Sequence, residues 1–196
     1  MVGERSGLWT KGFRRARLGA IGRISHACTL SSLMVRCGAP PDTGPVSSRH
    51  LQRGRVSIPG GYYVLTTVTF DRRPVFNLPC NAQIIIESLR EVERAAISRS
   101  FAWVVMPDHV HWLIQLRKGT LGACMQRFKS RSSRLIGRMS GSGTRLWQPS
   151  YFDHALRSEE SLRTQALYIA ANPVRAGLSA TLGDYPYAWC RWPLRP

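Results

Sequence analysis

The sequence predicts an α+β domain, in which an antiparallel sheet carries helices packed on one face. Three observations support this class. Runs at residues 62–70 and 101–116 are rich in β-branched and aromatic side chains, as strands are. Segments at residues 82–98 and 121–139 repeat apolar side chains at helical spacing. These segments follow one another in the order strand, helix, strands, helix and helix, which favours a mixed sheet-and-helix architecture.

The folded domain is expected to occupy residues 58–196. Residues 1–57 are rich in Arg, Ser and Gly and contain only two acidic side chains, Glu4 and Asp42. Such a composition is typical of a basic extension that does not fold. A DNA-contacting arm is the alternative interpretation of the same residues.

The first strand and the first helix are the clearest predicted elements. The strand Tyr62–Phe70 (YYVLTTVTF) follows the turn residues Pro59-Gly60-Gly61. In the following segment AQIIIESLREVERAAIS, apolar side chains recur at the spacing of one helical face, with charges opposite: Ile85, Leu89, Val92 and Ala96. This periodicity predicts an amphipathic helix.

The next segment contains two histidines inside an apolar run. FAWVVM and VHWLIQL flank Pro107-Asp108 and predict two strands, or one strand interrupted by a turn. Because side chains alternate along a strand, His109 and His111 are expected to share one face. The residues alone leave open whether this pair binds a metal ion, acts in catalysis or only packs.

A second helix is predicted from Leu121 to Met139, and one of its sides carries a row of arginines. The apolar side chains at helical spacing are Leu121, Cys124, Phe128, Leu135 and Met139. The arginine row consists of Arg127, Arg131, Arg134 and Arg138. No acidic residue lies among them to pair with them, so the row is either a solvated face or a surface that follows a phosphate backbone.

A third helix is expected to begin at Ser158, which is followed by Glu159 and Glu160, and to end near Asn172 before Pro173. Tyr168 and Asn172 are four residues apart, so they lie on the same face of that helix. Tyr168 is therefore either a residue of the core or part of a polar site.

Charge and cysteine content restrict the function. The formal net charge of +17 implies a polyanionic partner, with nucleic acid favoured over an anionic membrane surface. No apolar run reaches the roughly 20 residues that span a bilayer. The five cysteines form no Cys-x-x-Cys pair, which argues against a zinc ribbon or a disulfide scaffold and fits the reducing cytoplasm.

Acidic residues are few, so the sequence offers few carboxylates for the active site of a carboxylate-based nuclease. Only 11 Asp and Glu residues occur in the chain. Asp71, Asp108 and Asp153 are the acids that such an enzyme would use. Single-stranded DNA would also be recognised by aromatic platforms for its bases, and the candidates are Trp112, Trp147, Tyr151 and Trp189.

Three ordered motifs resemble the signatures of a known family. AWVVMPDHVHWLIQL, LWQPSYFDHALRS and YIAANPVRAGL are similar to those of the REP-associated tyrosine transposases, single-tyrosine transposases of the HUH endonuclease superfamily. The similarity covers about Ile58 to Trp192. It implies a ferredoxin-like, RRM-like palm.

The resemblance also implies an activity and a set of site residues. His109-Val110-His111 matches the metal-binding motif, Tyr168 matches the nucleophile that forms a 5′-phosphotyrosine, and Asn172 falls at a further metal-ligand position. The implied metal is Mg²⁺ or Mn²⁺. The implied substrate is single-stranded DNA with hairpin-forming repeats, cut and rejoined in the bacterial cytoplasm near the nucleoid by a monomer or homodimer. Two alternatives stay open: a carboxylate-based nuclease, and a non-catalytic DNA-binding protein derived from a transposase.

Overall fold

The computed structural model describes residues 57–141, 143–156 and 160–194. Its central feature is a five-stranded antiparallel sheet with the order β4-β1-β3-β2-β5. The strands are β1 (Tyr62–Val68), β2 (Ser98–Val105), β3 (His109–Leu116), β4 (Phe152–Leu156) and β5 (Ala188–Cys190). The helices are α1 (Pro79–Arg94), α2 (Leu121–Ser140), α3 (Glu160–Ala170) and α4 (Asn172–Arg175). The predicted α+β class with an antiparallel sheet is confirmed.

Helices cover both faces of this sheet. Apolar side chains of α1 and α2 pack on one face, in a core that includes Trp112 and Ile114 of β3. The side chains of β3 alternate, so Leu113 points to the opposite face, where it packs with Leu162, Ala166 and Ile169 of α3. The first two predicted helices therefore share a face as expected. The third packs on the opposite face, which carries His109 and His111, so the expectation that the helices occupy one face only is wrong for this helix.

The β2–β3 hairpin places the two histidines at the start of a central strand. The N–H of Met106 donates to the carbonyl of His109 (2.8 Å), which closes the turn at Pro107-Asp108. The N–H of Thr69 donates to the carbonyl of Asp108 (2.8 Å) and anchors that turn to the segment after β1. The region is thus two strands, not one interrupted strand.

The helix boundaries follow from local chemistry. Thr120 caps α2, because its hydroxyl accepts from the N–H of Ala123 (3.1 Å), and Gly141 ends the helix in the left-handed conformation (φ 61°). α3 ends at Ala170, shortly before Pro173, as predicted. The predicted cap at Ser158 and Glu159, and the extension over residues 1–56, lie outside the described residues. In the described ranges, no helix is long and apolar enough to cross a membrane.

Candidate active site

The two histidines of β3 form a compact pair on the α3 side of the sheet. The ring centroids of His109 and His111 are 4.8 Å apart, with the rings at 83° to each other. This confirms that the pair shares one strand face, since Val110 between them is buried in the opposite core. The pair is partly accessible, with 22% of the His109 side chain exposed.

Each imidazole is held through its Nδ1 atom. Nδ1 of His109 lies 2.5 Å from Oδ1 of Asp108. Nδ1 of His111 lies 2.8 Å from Oγ1 of Thr66, its partner residue on β1. Within the described part of the chain, Nε2 of neither ring has a hydrogen-bond partner. An ionised Asp108 can only accept, so Nδ1–H of His109 donates to it and Nε2 of that ring is unprotonated, the arrangement found in metal-bound histidines. The Thr66 hydroxyl can either donate to Nδ1 of His111 or accept from it.

Electrostatics keep His111 neutral. Burial lowers the pKa of His111 to about 4, and the neighbouring His109 and the positive charge of Arg175 act in the same direction. Burial raises the pKa of Asp108, but hydrogen bonds and charge from His109 and Arg72 outweigh it, and this carboxyl has a pKa below its ordinary value. The site therefore presents a neutral imidazole at physiological pH beside an ionised carboxylate.

Tyr168 lies near the C-terminal end of α3 and is not a core residue. Its side chain is 47% exposed, whereas Ala166 and Ile169 on the same helix are buried against the sheet. The Arg175 guanidinium covers one face of the phenol ring, with Cζ 3.8 Å from the ring centroid. Because the charge of Arg175 also acts on His111, this end of α3 and α4 lies within electrostatic range of the histidines.

Asn172 joins the same group of side chains. Its Oδ1 accepts a hydrogen bond from Arg175 Nη2 (2.7 Å), and its amide donates to the carbonyl of Ile169 (2.9 Å). Arg175 Nη2 also donates to the carbonyl of Tyr168 (3.0 Å). An amide oxygen has two lone pairs, so Asn172 Oδ1 retains one acceptor position beside the guanidinium.

The carboxylates do not converge on a second site. Asp108 serves His109 and Arg72, whose Nη1 lies 3.2 Å from Oδ2. Asp153 pairs with Leu65, which faces the α1–α2 core, so its side chain leaves the sheet on the face away from the histidines. Over the described residues, no three His, Cys, Asp or Glu side chains are grouped to hold a metal ion.

The arginines of the α2 row differ in whether a carboxylate lies beside them. Arg127 forms a two-pronged ion pair with Glu91 of α1 (Nη2–Oε1 2.5 Å and Nε–Oε2 3.2 Å), so the expectation that the row lacks acidic partners is wrong for this residue. The charge of Arg131 also acts on Glu91. No described carboxylate pairs with Arg134 or Arg138. The sequence could not reveal this division because Glu91 comes from another helix.

The unpaired half of the row lines a basic groove. This groove of about 870 Å³ lies between the second half of α2 and the segment 143–149. Its cationic side chains are Lys129, Arg134, Arg138 and Arg145. Lys129 Nζ donates to the carbonyls of Gln148 (2.7 Å) and Ser150 (2.6 Å), which fixes the far wall. We call this feature the basic groove.

Of the four predicted aromatic platforms, two are unable to stack on a base. Trp112 and Trp147 are 1% and 3% exposed and belong to the core. Tyr151 is partly buried against the same core. Trp189 is 36% exposed and stacks on Trp103. The most exposed aromatic ring near the histidines is Phe152 (51%), which sequence patterns did not single out.

Comparison with known proteins identifies the family of this chain. The family model for IS200-like transposases matches residues 57–172, more than half of the chain and the part that contains both histidines, Tyr168 and Asn172. A REP-associated tyrosine transposase of Escherichia coli strain K12 is 27% identical over 136 residues, which cover 68% of this chain and 79% of that protein.

A solved structure supports the same relationship. It is described as a REP-associated tyrosine transposase bound to a REP hairpin, and it superposes with a TM-score of 0.57 at 26% identity over 68% of this chain and 79% of that one. The resemblance drawn from the three motifs is confirmed. This chain belongs to the family of IS200-like transposases and is similar to REP-associated tyrosine transposases.

Proposed function

We propose that this protein is a metal-dependent single-strand DNA endonuclease and strand transferase that acts on hairpin-forming repeat DNA through a 5′-phosphotyrosine intermediate. The observation that carries the proposal is the meeting of two elements. β3 presents His109 and His111 on one face, and α3, which carries Tyr168 near its C-terminal end, packs on that face. The charge of Arg175, which contacts Tyr168 and Asn172, acts on His111.

The donor set fits a divalent ion such as Mn²⁺ or Mg²⁺. His109 and His111 each have Nδ1 engaged by an oxygen, which leaves Nε2 as the ligand atom. The lowered pKa of His111 keeps its ring unprotonated, as metal binding requires. Asn172 Oδ1 would be the third protein ligand. A bound ion would polarise the phosphate oxygens and stabilise the leaving 3′ oxygen.

Tyr168 supplies the nucleophile. Its phenolic oxygen attacks the phosphorus, a new bond joins that oxygen to phosphorus, and the bond from phosphorus to the 3′ oxygen breaks. The phenol proton goes to solvent, and the departing 3′ oxygen takes up a proton to become a free hydroxyl. Because one phosphoester replaces another, a second 3′ hydroxyl can reverse the reaction and join strands without ATP.

DNA binding is assigned to the basic groove. Arg134, Arg138 and Arg145 have no described carboxylate partner, so their charge is available to phosphates. The solved relative is bound to a REP hairpin, which supports a hairpin-bearing strand as the substrate of this chain too. Arg127 is assigned a smaller share because Glu91 neutralises it.

A covalent adduct tests this function directly. The protein is incubated with Mn²⁺ and a hairpin-bearing single strand labelled at either its 5′ or its 3′ end, and the products are separated on a denaturing gel. The expected result is that the 3′ label migrates with the protein and the 5′ label appears on a free fragment. A carboxylate-based nuclease or a non-catalytic DNA-binding protein would yield no adduct with either label.

A further inference from the structure

We propose that Phe152 and the cavity beside it form a nucleobase-binding site, which holds an unstacked base of single-stranded DNA next to the histidine pair. The site lies at the edge of the sheet formed by the described strands, where β4 is the terminal strand and pairs with β1. It rests on the proposed function, because the DNA strand must reach the histidines.

Sheet register places Phe152 in line with the histidine site. Thr66 of β1 pairs with His111 on one side and with Phe152 on the other. Directly paired residues of antiparallel strands project to the same face, so these three side chains form one row across the sheet. Two strand spacings separate Phe152 from His111, which is about 10 Å. That distance is suitable for a nucleotide adjoining a phosphate held at the histidines.

The exposure of Phe152 has no packing explanation in the described fold. Leu156, four residues along the same strand and on the same face, packs against the α3 core. Phe152 lies beyond the reach of that core and remains 51% exposed. An exposed phenyl ring on an edge strand, in line with the histidine pair, is the type of surface on which unpaired bases stack.

A small cavity adjoins the ring. It has a volume of about 140 Å³, and its lining includes Thr66, Gln148, Pro149, Tyr151 and Phe152. Gln148 and Pro149 also line the basic groove, so the two features share a wall. A strand whose phosphates follow the groove can pass over this wall, place one base against Phe152, and continue toward His111.

The ring and the groove should recognise different parts of the DNA. Phe152 has no charge or hydrogen-bonding atom in its side chain, so it can recognise only the flat face of a base. The arginines of the groove recognise phosphates and do not require a base. Stacking on an aromatic ring is tolerant of sequence. The proposed occupant is therefore any unpaired base, and a base held in a duplex stem is excluded.

The test separates base binding from phosphate binding without knowledge of the target sequence. Dissociation constants are measured by fluorescence anisotropy, in EDTA, for a labelled oligo-dT strand and for a fully abasic strand of equal length. The variants are Phe152→Ala, Phe152→Tyr, and Leu78→Ala, a matched truncation of an exposed apolar side chain (59% exposed) that lines neither the groove nor this cavity. Thermal unfolding checks that each variant is folded.

For the wild-type protein, oligo-dT should bind more tightly than the abasic strand. Phe152→Ala should weaken oligo-dT binding by roughly 5- to 100-fold and leave abasic binding unchanged, whereas Phe152→Tyr should keep the preference. Leu78→Ala should resemble wild type. The proposal would be overturned if Phe152→Ala preferred oligo-dT over the abasic strand as strongly as the wild-type protein does. It would also be overturned if Phe152→Ala lost affinity equally for both strands. Because no cleavage is measured, absence of the covalent adduct would refute the proposed chemistry without touching this result.

Discussion

Arg175 lies over the ring of Tyr168, with its guanidinium carbon 3.8 Å from the ring centroid. The same guanidinium donates to Oδ1 of Asn172 at 2.7 Å and to the carbonyl of Tyr168 at 3.0 Å. One cationic side chain thus fixes both the tyrosine and the amide that the family resemblance assigns to the reaction. Cation–π contact and a charge-assisted hydrogen bond both favour this arrangement.

Replacement of Arg175 should slow cleavage more than it weakens binding. Because Arg175→Gln removes the ring contact and the charge, single-turnover cleavage at saturating DNA should fall by roughly 10- to 100-fold. Arg175→Lys keeps the charge but loses the planar fork, so it should restore only part of the rate. Arg163→Gln, on the exposed side of α3, is the matched control. An unchanged rate in Arg175→Gln would remove Arg175 from the site.

The histidine pair should be required for metal binding and cleavage but not for DNA affinity. His109→Ala and His111→Ala each remove one ligand, so calorimetry should detect a large loss of Mn²⁺ binding and gels should detect no cleavage. DNA affinity in EDTA should stay near the wild-type value because the basic groove supplies the phosphate contacts. Leu78→Ala, an exposed position before α1 and away from this face, serves as the control. If a variant with both His109→Ala and His111→Ala still cuts DNA, the alternative of a carboxylate-based nuclease would be favoured.

The two halves of the arginine row should contribute unequally to the salt dependence of binding. Arg134→Gln with Arg138→Gln removes two unpaired cations of the groove, so the slope of log affinity against log salt should decrease by about 1.4 for single-stranded DNA. Arg127→Gln with Arg131→Gln is the matched control, and it should change the slope less, because Glu91 already neutralises Arg127. Equal changes in the two double variants would contradict the division of the row.

The lowered pKa of Lys129 predicts that the free energy of unfolding depends on pH. Burial lowers the pKa of Lys129 to about 8, and the charge of Arg145 acts in the same direction. In the unfolded chain a lysine titrates near 10.4, so between these values the unfolded state binds more protons. The free energy of unfolding contributed by Lys129 should therefore rise as the pH increases from about 8 to about 10.

The measurement compares wild type with Lys129→Met by urea unfolding at several pH values. The difference between the two unfolding free energies should increase with pH, with a slope below about 1.4 kcal/mol per pH unit because Lys129 is partly exposed and its charge is screened. A difference that is flat over this range would show that Lys129 has an ordinary pKa.

The sequence was sufficient for elements whose pattern is strong. The alternation around His109 and His111 fixed their common face, and the apolar spacing of Ile85, Leu89 and Val92 fixed the buried side of α1. β4 was not predicted. Its residues are exposed or half-buried, so this edge strand lacks the alternation of apolar and polar residues by which a strand is recognised. β5 is only three residues long.

The parts of the site that sequence reasoning missed depend on contacts between distant segments. Thr66 reaches His111 only through the pairing of β1 with β3, and Phe152 joins their row only through the pairing of β1 with β4. Arg175 is seven residues after Tyr168, but the break between α3 and α4 at Ala171 hid the fact that the two side chains touch. The adjacent pair Asp108-His109 was the one local signal, because a carboxylate beside a metal-binding histidine is a common arrangement.

The covalent bond proposed between Tyr168 and DNA can be located by mass spectrometry of the adduct. Protein incubated with Mn²⁺ and a hairpin-bearing single strand is digested with nuclease and protease, and the peptide that carries a nucleotide is sequenced. We expect a phosphonucleotide on Tyr168, retained in Tyr187→Phe and absent in Tyr168→Phe. The Tyr168→Phe variant should still bind the strand because only one hydroxyl is lost. An adduct that persists in Tyr168→Phe, or that maps to another residue, would contradict the account.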